Sequence, residues 1–372
     1  MKNIVILGGS FGGVSTAHRI FKSAGKGSDF KITLVSPNTD FYWNFAAPRA
    51  IVPGQFTDEQ LFEPIATGFQ QYGVNRFEFV LGSAESLDVE AKAVVVVGPG
   101  TKETLTYDML VIATGSRTKD RSPWKGIGSS EETKAALHSF QEKVEKAEKI
   151  VVAGAGPTGV EIAGELAFAY GAQKEVVLLT SGRNILPDAP TNISNIAKKA
   201  LEDLKVPIKF ETKVVDATES SQRRHTLTLS SGNTLLADLY IPTFGITPNS
   251  SFIPPRFLDS NSFVVVDSHL NLAGDPSTSV WALGDISNVE SAQFIPCNKQ
   301  SVYVAKSIVS VLNGKKPGPY KPNPNRLMGL QIGKKTATGH YGKYKIPSFV
   351  VTYMRKDLFT PNLKPTVDGS WF

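Results

Sequence analysis

Six consecutive residues carry the first chemical signal. Gly154-Ala155-Gly156-Pro157-Thr158-Gly159 follows a run of small and β-branched residues, Ile150–Ala153, and opens a helix-compatible segment that includes Glu161. Strand, glycine turn and helix, in that order, build the cradle that a dinucleotide diphosphate needs. Gly154 permits the bend, Gly156 lets the backbone approach the diphosphate, Gly159 lets helix and strand pack, and the helix start supplies amide donors. Alone, such a pattern is weak evidence. The chain, however, begins with a second version: Ile4–Leu7 runs into Gly8-Gly9-Ser10-Phe11-Gly12-Gly13. Two such turns predict two bound dinucleotides.

Residues around the turns refine this. Ser10 replaces the middle glycine of the first copy, and Ser36 stands at the end of the next strand, where an acid usually holds a ribose; a serine hydroxyl still hydrogen-bonds there. In the second copy the strand Val176–Leu179 is followed by Thr180-Ser181-Gly182-Arg183, without an acid, which leans toward NADPH and leaves NADH open. The segment Asp40–Arg49 places four aromatics within Phe41–Phe45, ahead of Pro48 and Arg49. Those rings fit a core or the wall of a planar cofactor equally. Arg49 is expected to hydrogen-bond cofactor ring carbonyls or diphosphate and to stabilise an anionic reduced ring.

The positioning elements follow from apolar periodicity. A first unit reads as strand, helix from Gly12 to about Ala24, and strand Lys31–Val35. Strands at Phe77–Leu81, ending at Gly82-Ser83-Ala84, and at Ala93–Val97 read as a meander. Met109–Ala113 is a strand leading to Thr114-Gly115-Ser116, followed by a linker, Ser122–Gly126, and an amphipathic helix, Glu131–Lys149. The second unit continues with a helix, Asn192–Lys205, bearing Lys198 and Lys199 as surface charge. Strands near Ile208–Phe210, Leu227–Leu229 and Leu239–Ile241 complete it, and Thr243-Phe244-Gly245 echoes the earlier exit. The chain then returns to the first unit through Val280–Asp285, read as a strand ending in Gly284-Asp285, and a helix from about Asn298 to Leu312.

Composition narrows the chemistry. With 372 residues, 41% hydrophobic and 20% charged, the chain is globular, with room for two or three domains. No apolar run reaches membrane-spanning length, and the start Met1-Lys2-Asn3 resembles neither a signal peptide nor a myristoylation site, so a cytoplasmic protein is expected. The single cysteine, Cys297, excludes an intramolecular redox disulfide and reads as a packed thiol; five scattered histidines give no metal site. From Lys299 onward thirteen Lys and Arg face only Asp357 and Asp368. That basic region fits a solvated face, a peripheral contact with anionic membrane or, less readily, nucleic acid.

Five motifs in order, Gly8–Gly13, Ala113–Ser116, Gly154–Glu161, Thr243–Gly245 and Ala282–Asp285, resemble the two-dinucleotide-binding-domain flavoprotein superfamily across essentially the whole chain. Phe41–Asn44, Ala46–Arg49 and Arg355–Phe359 resemble the apoptosis-inducing-factor-like branch that includes the ferroptosis suppressors, and more distantly the type II NADH dehydrogenases. The resemblance implies an α/β fold with two Rossmann-like three-layer domains and a small α+β C-terminal region. Residues 1–117 and 242–312 would hold FAD, 118–241 would hold NADH or NADPH, and 313–372 would form the last region. Gly8, Ser10, Phe11, Gly12 and Gly13 would face the FAD diphosphate, Thr114 and Gly115 its far side, and Gly284 and Asp285 the ribityl chain, with Ser36, Arg49 and Ala84 also in contact. Gly154, Gly156, Thr158, Gly159, Glu161, Arg183 and Gly245 would serve the nicotinamide dinucleotide, with Glu161 and Arg49 nearest the chemistry. The implied reaction passes hydride from NAD(P)H to FAD and electrons onward to a small acceptor, a quinone foremost. An oxidase or monooxygenase using oxygen, and a flavoprotein whose basic region binds nucleic acid or membrane, are the alternatives; a homodimer stays open.

Overall fold

The computed structural model describes residues 1–25, 27–221 and 224–372. Two parallel sheets frame the molecule, and they are built alike. In the first the strand order is Val280–Ala282, Met109–Ile112, Lys2–Leu7, Phe30–Ser36, Phe77–Leu81. In the second it is Ile208–Lys209, Glu175–Leu179, Lys149–Ala153, Leu239–Pro242. Each sheet sets the strand that enters a glycine turn between its following βαβ strand and a strand that leaves through a left-handed glycine, Gly115 (φ 65°) or Gly245 (φ 77°). Ile4, Ile6, Ile150 and Val152 are fully buried under helices, while the alternate residues Val5, Leu7, Val151 and Ala153 pack on a three-stranded antiparallel sheet that covers the other face. This is why the sequence shows continuous apolar runs there and no alternation.

The chain crosses between the two units twice, and the crossings are laced together. Ser116–Thr118 pairs antiparallel with Ile246–Pro248. Thr114 Oγ1 donates to the Asn249 carbonyl (2.9 Å), and Asn249 Nδ2 donates to the Thr114 carbonyl (2.8 Å). This connector brings the two exit turns side by side.

Several expectations are corrected. Phe77–Leu81 is the edge strand of the first parallel sheet; the meander is Ser83–Asp88, Ala93–Gly98 and Thr101–Thr106. Gly82 divides them: its N–H donates to the Ser36 carbonyl (2.8 Å), and a Cβ there would lie 2.7 Å from Val96. Leu227–Leu229 falls in His225–Leu229, the middle of a separate antiparallel sheet with Val214–Glu219 and Thr234–Ala237. The helix Ser130–Lys146, opened by a Ser129/Glu132 capping box, ends before Lys149 because that residue starts the central strand of the second sheet. The returning strand stops at Ala282, since Gly284 (φ 76°) turns the chain into a short 3-10 segment. The following helix starts at Phe294, earlier than expected, because Pro296 falls in its first turn, where no N–H is needed.

The last region is α+β, as expected: strands Leu327–Ile332, Thr336–Tyr341 and Tyr344–Lys345 with helices Ser348–Arg355 and Leu363–Val367. It rests on both units. Gly164 leaves room for Ile332, whose Cγ2 would lie 2.7 Å from a Cβ there, and Gly68 makes way for the Val367 carbonyl.

His18 fastens the first helix, Phe11–Ser23, to this region. Fully buried, it stacks on Phe69 (4.0 Å, 11°), its Nε2–H donates to the Val367 carbonyl (2.8 Å), and Nδ1 accepts from the Tyr72 hydroxyl (2.9 Å). Burial lowers its pKa from 6.5 to about 4. Between those values the unfolded chain binds the extra proton, so the contribution is complete above pH 6.5 and is lost as pH falls toward 4. From neutral pH to pH 5 this amounts to about 2 kcal/mol. Thermal unfolding of the wild type is therefore expected to fall off more steeply with acidification than that of His18→Gln. Parallel pH profiles of the two proteins would refute the assignment.

Candidate functional site

The two glycine turns match atom for atom in their constraints. Gly8 (φ 118°) and Gly154 (φ 107°) are both left-handed; a Cβ on Gly13 would lie 1.9 Å from the Gly8 carbonyl oxygen, and one on Gly159 1.8 Å from that of Gly154. Only glycine fits at these four places. The middle positions differ: Ser10 (φ −99°) and Gly156 (φ −73°) are ordinary N-cap conformations, so serine there costs no backbone strain. Ser10 is exposed, neither cap closes its helix with a side chain, and nothing lies within 4 Å of a Cβ on Gly156. Both helices thus present free amide donors to open space, which fits an anionic diphosphate. Phe11 and Gly12 begin the first helix; Thr158 lies in the first turn of the second.

The strand ends beside these turns hold the ribose-side candidates. Ser36 is buried against Gly9, and its Oγ accepts from the Asn38 N–H (3.1 Å). Ala84 packs in the meander on the apolar cluster of Leu87 and Val94. In the second unit Arg183 is exposed and its Nε donates to Glu211 Oε1 (3.1 Å), while the Glu211 N–H donates to the Gly182 carbonyl. An acid does stand here, delivered by the loop after Ile208–Lys209. The lean toward NADPH, drawn from the lack of an acid in 180–183, loses that support.

Glu161 and Glu165 lie one turn apart on the helix Pro157–Tyr170, and each meets an arginine. Glu161 Oε1 accepts from Arg355 Nη2 (2.6 Å) and from the Gln331 N–H (3.3 Å); burial raises its pKa against the pull of Arg355. Glu165 takes a bidentate bond from Arg49, Nε to Oε2 (2.9 Å) and Nη2 to Oε1 (2.8 Å), and Arg49 Nη1 donates to the Lys356 carbonyl (2.7 Å). Arg49 is only 3% exposed, so its charge is neutralised by Glu165. Arg49, expected to hydrogen-bond cofactor ring carbonyls or a diphosphate, directs its bonds to protein partners and tethers the segment Ala47–Ala50 to the second unit's helix and the C-terminal region. Short cavities of about 330 and 320 Å³, both lined by Gln55 and Lys334, flank this pair.

The turn after Arg355 is strained. Leu358 (φ 47°) and Phe359 (φ 60°) are consecutive left-handed non-glycines, held by Trp43 Nε1–H donating to the Leu358 carbonyl (2.9 Å) and by the Arg49 bond to Lys356. Such strain persists where the surroundings over-determine it, typically at functional sites. Phe41 and Trp43 are core, whereas Phe45 is half-buried and packs edge-on to Phe294 (4.7 Å).

On the first unit's side, Asp285 Oδ2 accepts from Lys125 Nζ (2.5 Å) and Ser116 Oγ (3.2 Å). The Gly284 N–H donates to Gln300 Oε1 (2.7 Å), and Gln300 Nε2 donates to Glu290. Burial and Asp285 push the Cys297 thiol up to about 12, so it is an inert packing group. Sequence reasoning missed Lys125, Gln300, Glu165 and Glu211, each of which gains its meaning from a partner far along the chain. Among the described residues there is no cluster of metal-ligating side chains and no helix long and apolar enough to cross a membrane.

A family model described as pyridine nucleotide-disulphide oxidoreductase matches residues 2–305. The chain belongs to this family. It is 50% identical to the oxidoreductase ptaL of Pestalotiopsis fici over 372 residues, all of both chains. It is 26% identical to ferroptosis suppressor protein 1 of Taeniopygia guttata, covering 96% of this chain and 93% of that one. The fold is that of NDH2 from Plasmodium falciparum in complex with NADH, with a TM-score of 0.77, 17% identity, and coverage of 100% and 98%. FAD and a nicotinamide dinucleotide are accordingly the cofactors, in keeping with the two glycine turns. The disulphide of the family description has no counterpart, because Cys297 is the chain's one cysteine.

Proposed function

We propose that this chain is an FAD-dependent NAD(P)H oxidoreductase whose electron acceptor is a quinone. The observation that carries the reading is the pair of equivalent diphosphate turns, Gly8–Gly13 and Gly154–Gly159, set on two sheets laced together at Thr114 and Asn249. Bound FAD supplies a ring that takes hydride from NAD(P)H and returns two electrons to the acceptor. NAD(P)H, one proton and the quinone thereby give NAD(P)⁺ and the quinol. The protein's part is to hold both dinucleotides and orient the nicotinamide. Glu161, kept in place by Arg355 and the Gln331 N–H on the helix that the second glycine turn opens, would border the nicotinamide end of that cradle. The lone cysteine disfavours an intramolecular dithiol relay between flavin and acceptor. A relative from Haemophilus influenzae described as a type II NADH:quinone oxidoreductase, 25% identical over 91% of this chain, supports the same acceptor class.

The test is a half-reaction. After anaerobic reduction by NAD(P)H, stopped-flow mixing with a soluble naphthoquinone is expected to reoxidise the protein faster than oxygen at equal concentration. Reoxidation by oxygen at the same rate or faster would instead identify an oxidase.

A further inference from the structure

We infer that Glu211, delivered by the loop after the strand Ile208–Lys209, makes the second unit select NADH and reject NADPH. The inference rests on the assignment of a nicotinamide dinucleotide to the second turn, and it names which of the two nucleotides the site takes. In a βαβ unit the strand after the glycine turn ends beside the adenosine ribose, where an acid on that strand usually accepts from the ribose hydroxyls. Here that strand is Glu175–Leu179, and the residues that follow it, Thr180-Ser181-Gly182-Arg183, hold no acid. The neighbouring strand supplies one. The Thr180 N–H donates to the Lys209 carbonyl (2.9 Å), the Thr212 N–H to the Thr180 carbonyl (2.8 Å) and the Glu211 N–H to the Gly182 carbonyl (3.0 Å). These bonds continue the parallel pairing of Leu178 and Leu179 with Ile208 and Lys209 past both strand ends, and they set Glu211 against the vacant acid position. Glu211 is left-handed (φ 47°), a conformation that glycine would relieve. What the site gains from this residue is therefore its carboxylate and not its backbone.

The partner of Glu211 decides the sign of the selection. Arg183 Nε donates to Glu211 Oε1 (3.1 Å), which leaves Oε2 without a partner among the described residues. A ribose with free 2′ and 3′ hydroxyls can donate to that oxygen while the ion pair stays whole. A 2′-phosphate has no such hydroxyl. It brings about two negative charges beside the carboxylate, and it gains Arg183 only by taking that residue from Glu211. The two side chains are also held unequally: Arg183 is 87% exposed and tied by one bond, whereas the backbone of Glu211 is fixed against Gly182. The arginine can swing away, and the carboxylate stays. Removing the charge of Glu211 should accordingly turn the same strand end into a phosphate site with Arg183 as its cation.

The experiment follows anaerobic reduction of the flavin-loaded full chain by stopped flow, over a range of NADH and of NADPH concentrations, and compares the two second-order rate constants. The wild type is expected to favour NADH by about tenfold or more, and Glu211→Gln to move the ratio toward NADPH by about ten- to a hundredfold, through the half-saturating concentrations. Adding Arg183→Met to Glu211→Gln should remove the gain for NADPH. A wild type that uses NADPH as well as NADH, a ratio that Glu211→Gln leaves within about twofold, or a gain for NADPH that survives the loss of Arg183 overturns the inference. Should the variants fold poorly by thermal unfolding, the wild type decides: its preference for NADH must shrink as ionic strength rises, because an exposed charge is screened, and a preference independent of salt overturns the inference. Flavin that neither nucleotide reduces removes the oxidoreductase reading itself, whereas reduction by both without a Glu211 effect removes only this step.

Discussion

Gly159→Ala is expected to abolish reduction by NADH and NADPH while the protein still retains flavin, and Gly13→Ala is expected to yield protein that cannot retain flavin. The methyl groups would lie 1.8 Å and 1.9 Å from the carbonyl oxygens of Gly154 and Gly8, distances at which the backbone of the turn itself must move. Overpacking of this kind costs about 3 kcal/mol. Because the same displacement carries the amide donors away from the diphosphate, the ligand loses roughly a hundredfold or more in affinity. Flavin content after gel filtration and nicotinamide titration of each variant separate the two effects. A Gly159→Ala protein still reduced by NAD(P)H at the wild-type rate would refute the division of labour between the turns. Ser10 predicts the contrast: at φ −99° it is relaxed, so Ser10→Gly should change little.

Arg49→Met is expected to be among the most destabilising single substitutions in the chain, by about 3–5 kcal/mol, because it strands the Glu165 carboxylate at 3% exposure. Two of the lost bonds go to that carboxylate and the third to the Lys356 carbonyl. Glu165→Gln should cost less, since an amide still accepts from the guanidinium. Arg49→Met combined with Glu165→Leu should recover most of the loss, since removing both charges lifts the desolvation penalty. Denaturant unfolding of the wild type, Arg49→Met, Glu165→Leu and the double variant forms a double-mutant cycle. Additive losses would show that the pair does not act as a unit. The strained turn at Leu358 and Phe359 depends on the same bond to Lys356, so its distortion should accompany the loss.

Local constraints made the cradle legible and left its electrostatics hidden. Gly8, Gly13, Gly154 and Gly159 announce themselves because the turn that requires glycine is encoded within six residues. The doubly covered sheets likewise appear as apolar runs at Ile4–Leu7 and Ile150–Ala153. Pairings across more than a hundred residues, such as Arg49 with Glu165, Arg355 with Glu161 and Lys125 with Asp285, leave no local trace, since any lysine or arginine beside an apolar run reads as surface charge. That is why the sequence assigned Arg49 to a cofactor without its partner Glu165, and read Lys125 as a linker residue. Glu211 taught the converse: no acid stands in 180–183, yet one arrives from the next loop. Phe77–Leu81 was read as a strand but assigned to the wrong sheet, because parallel pairing is set by the far strand Phe30–Ser36 and not by its own sequence.

Anaerobic titration of the purified protein with NADH and with NADPH tests most directly the proposal that two dinucleotides act in series. The visible absorbance of bound flavin should bleach fully with a single equivalent of at least one of the two nucleotides, and should return when quinone is added. A protein that binds no flavin, or one whose bound flavin stays oxidised in excess of both nucleotides, would contradict it.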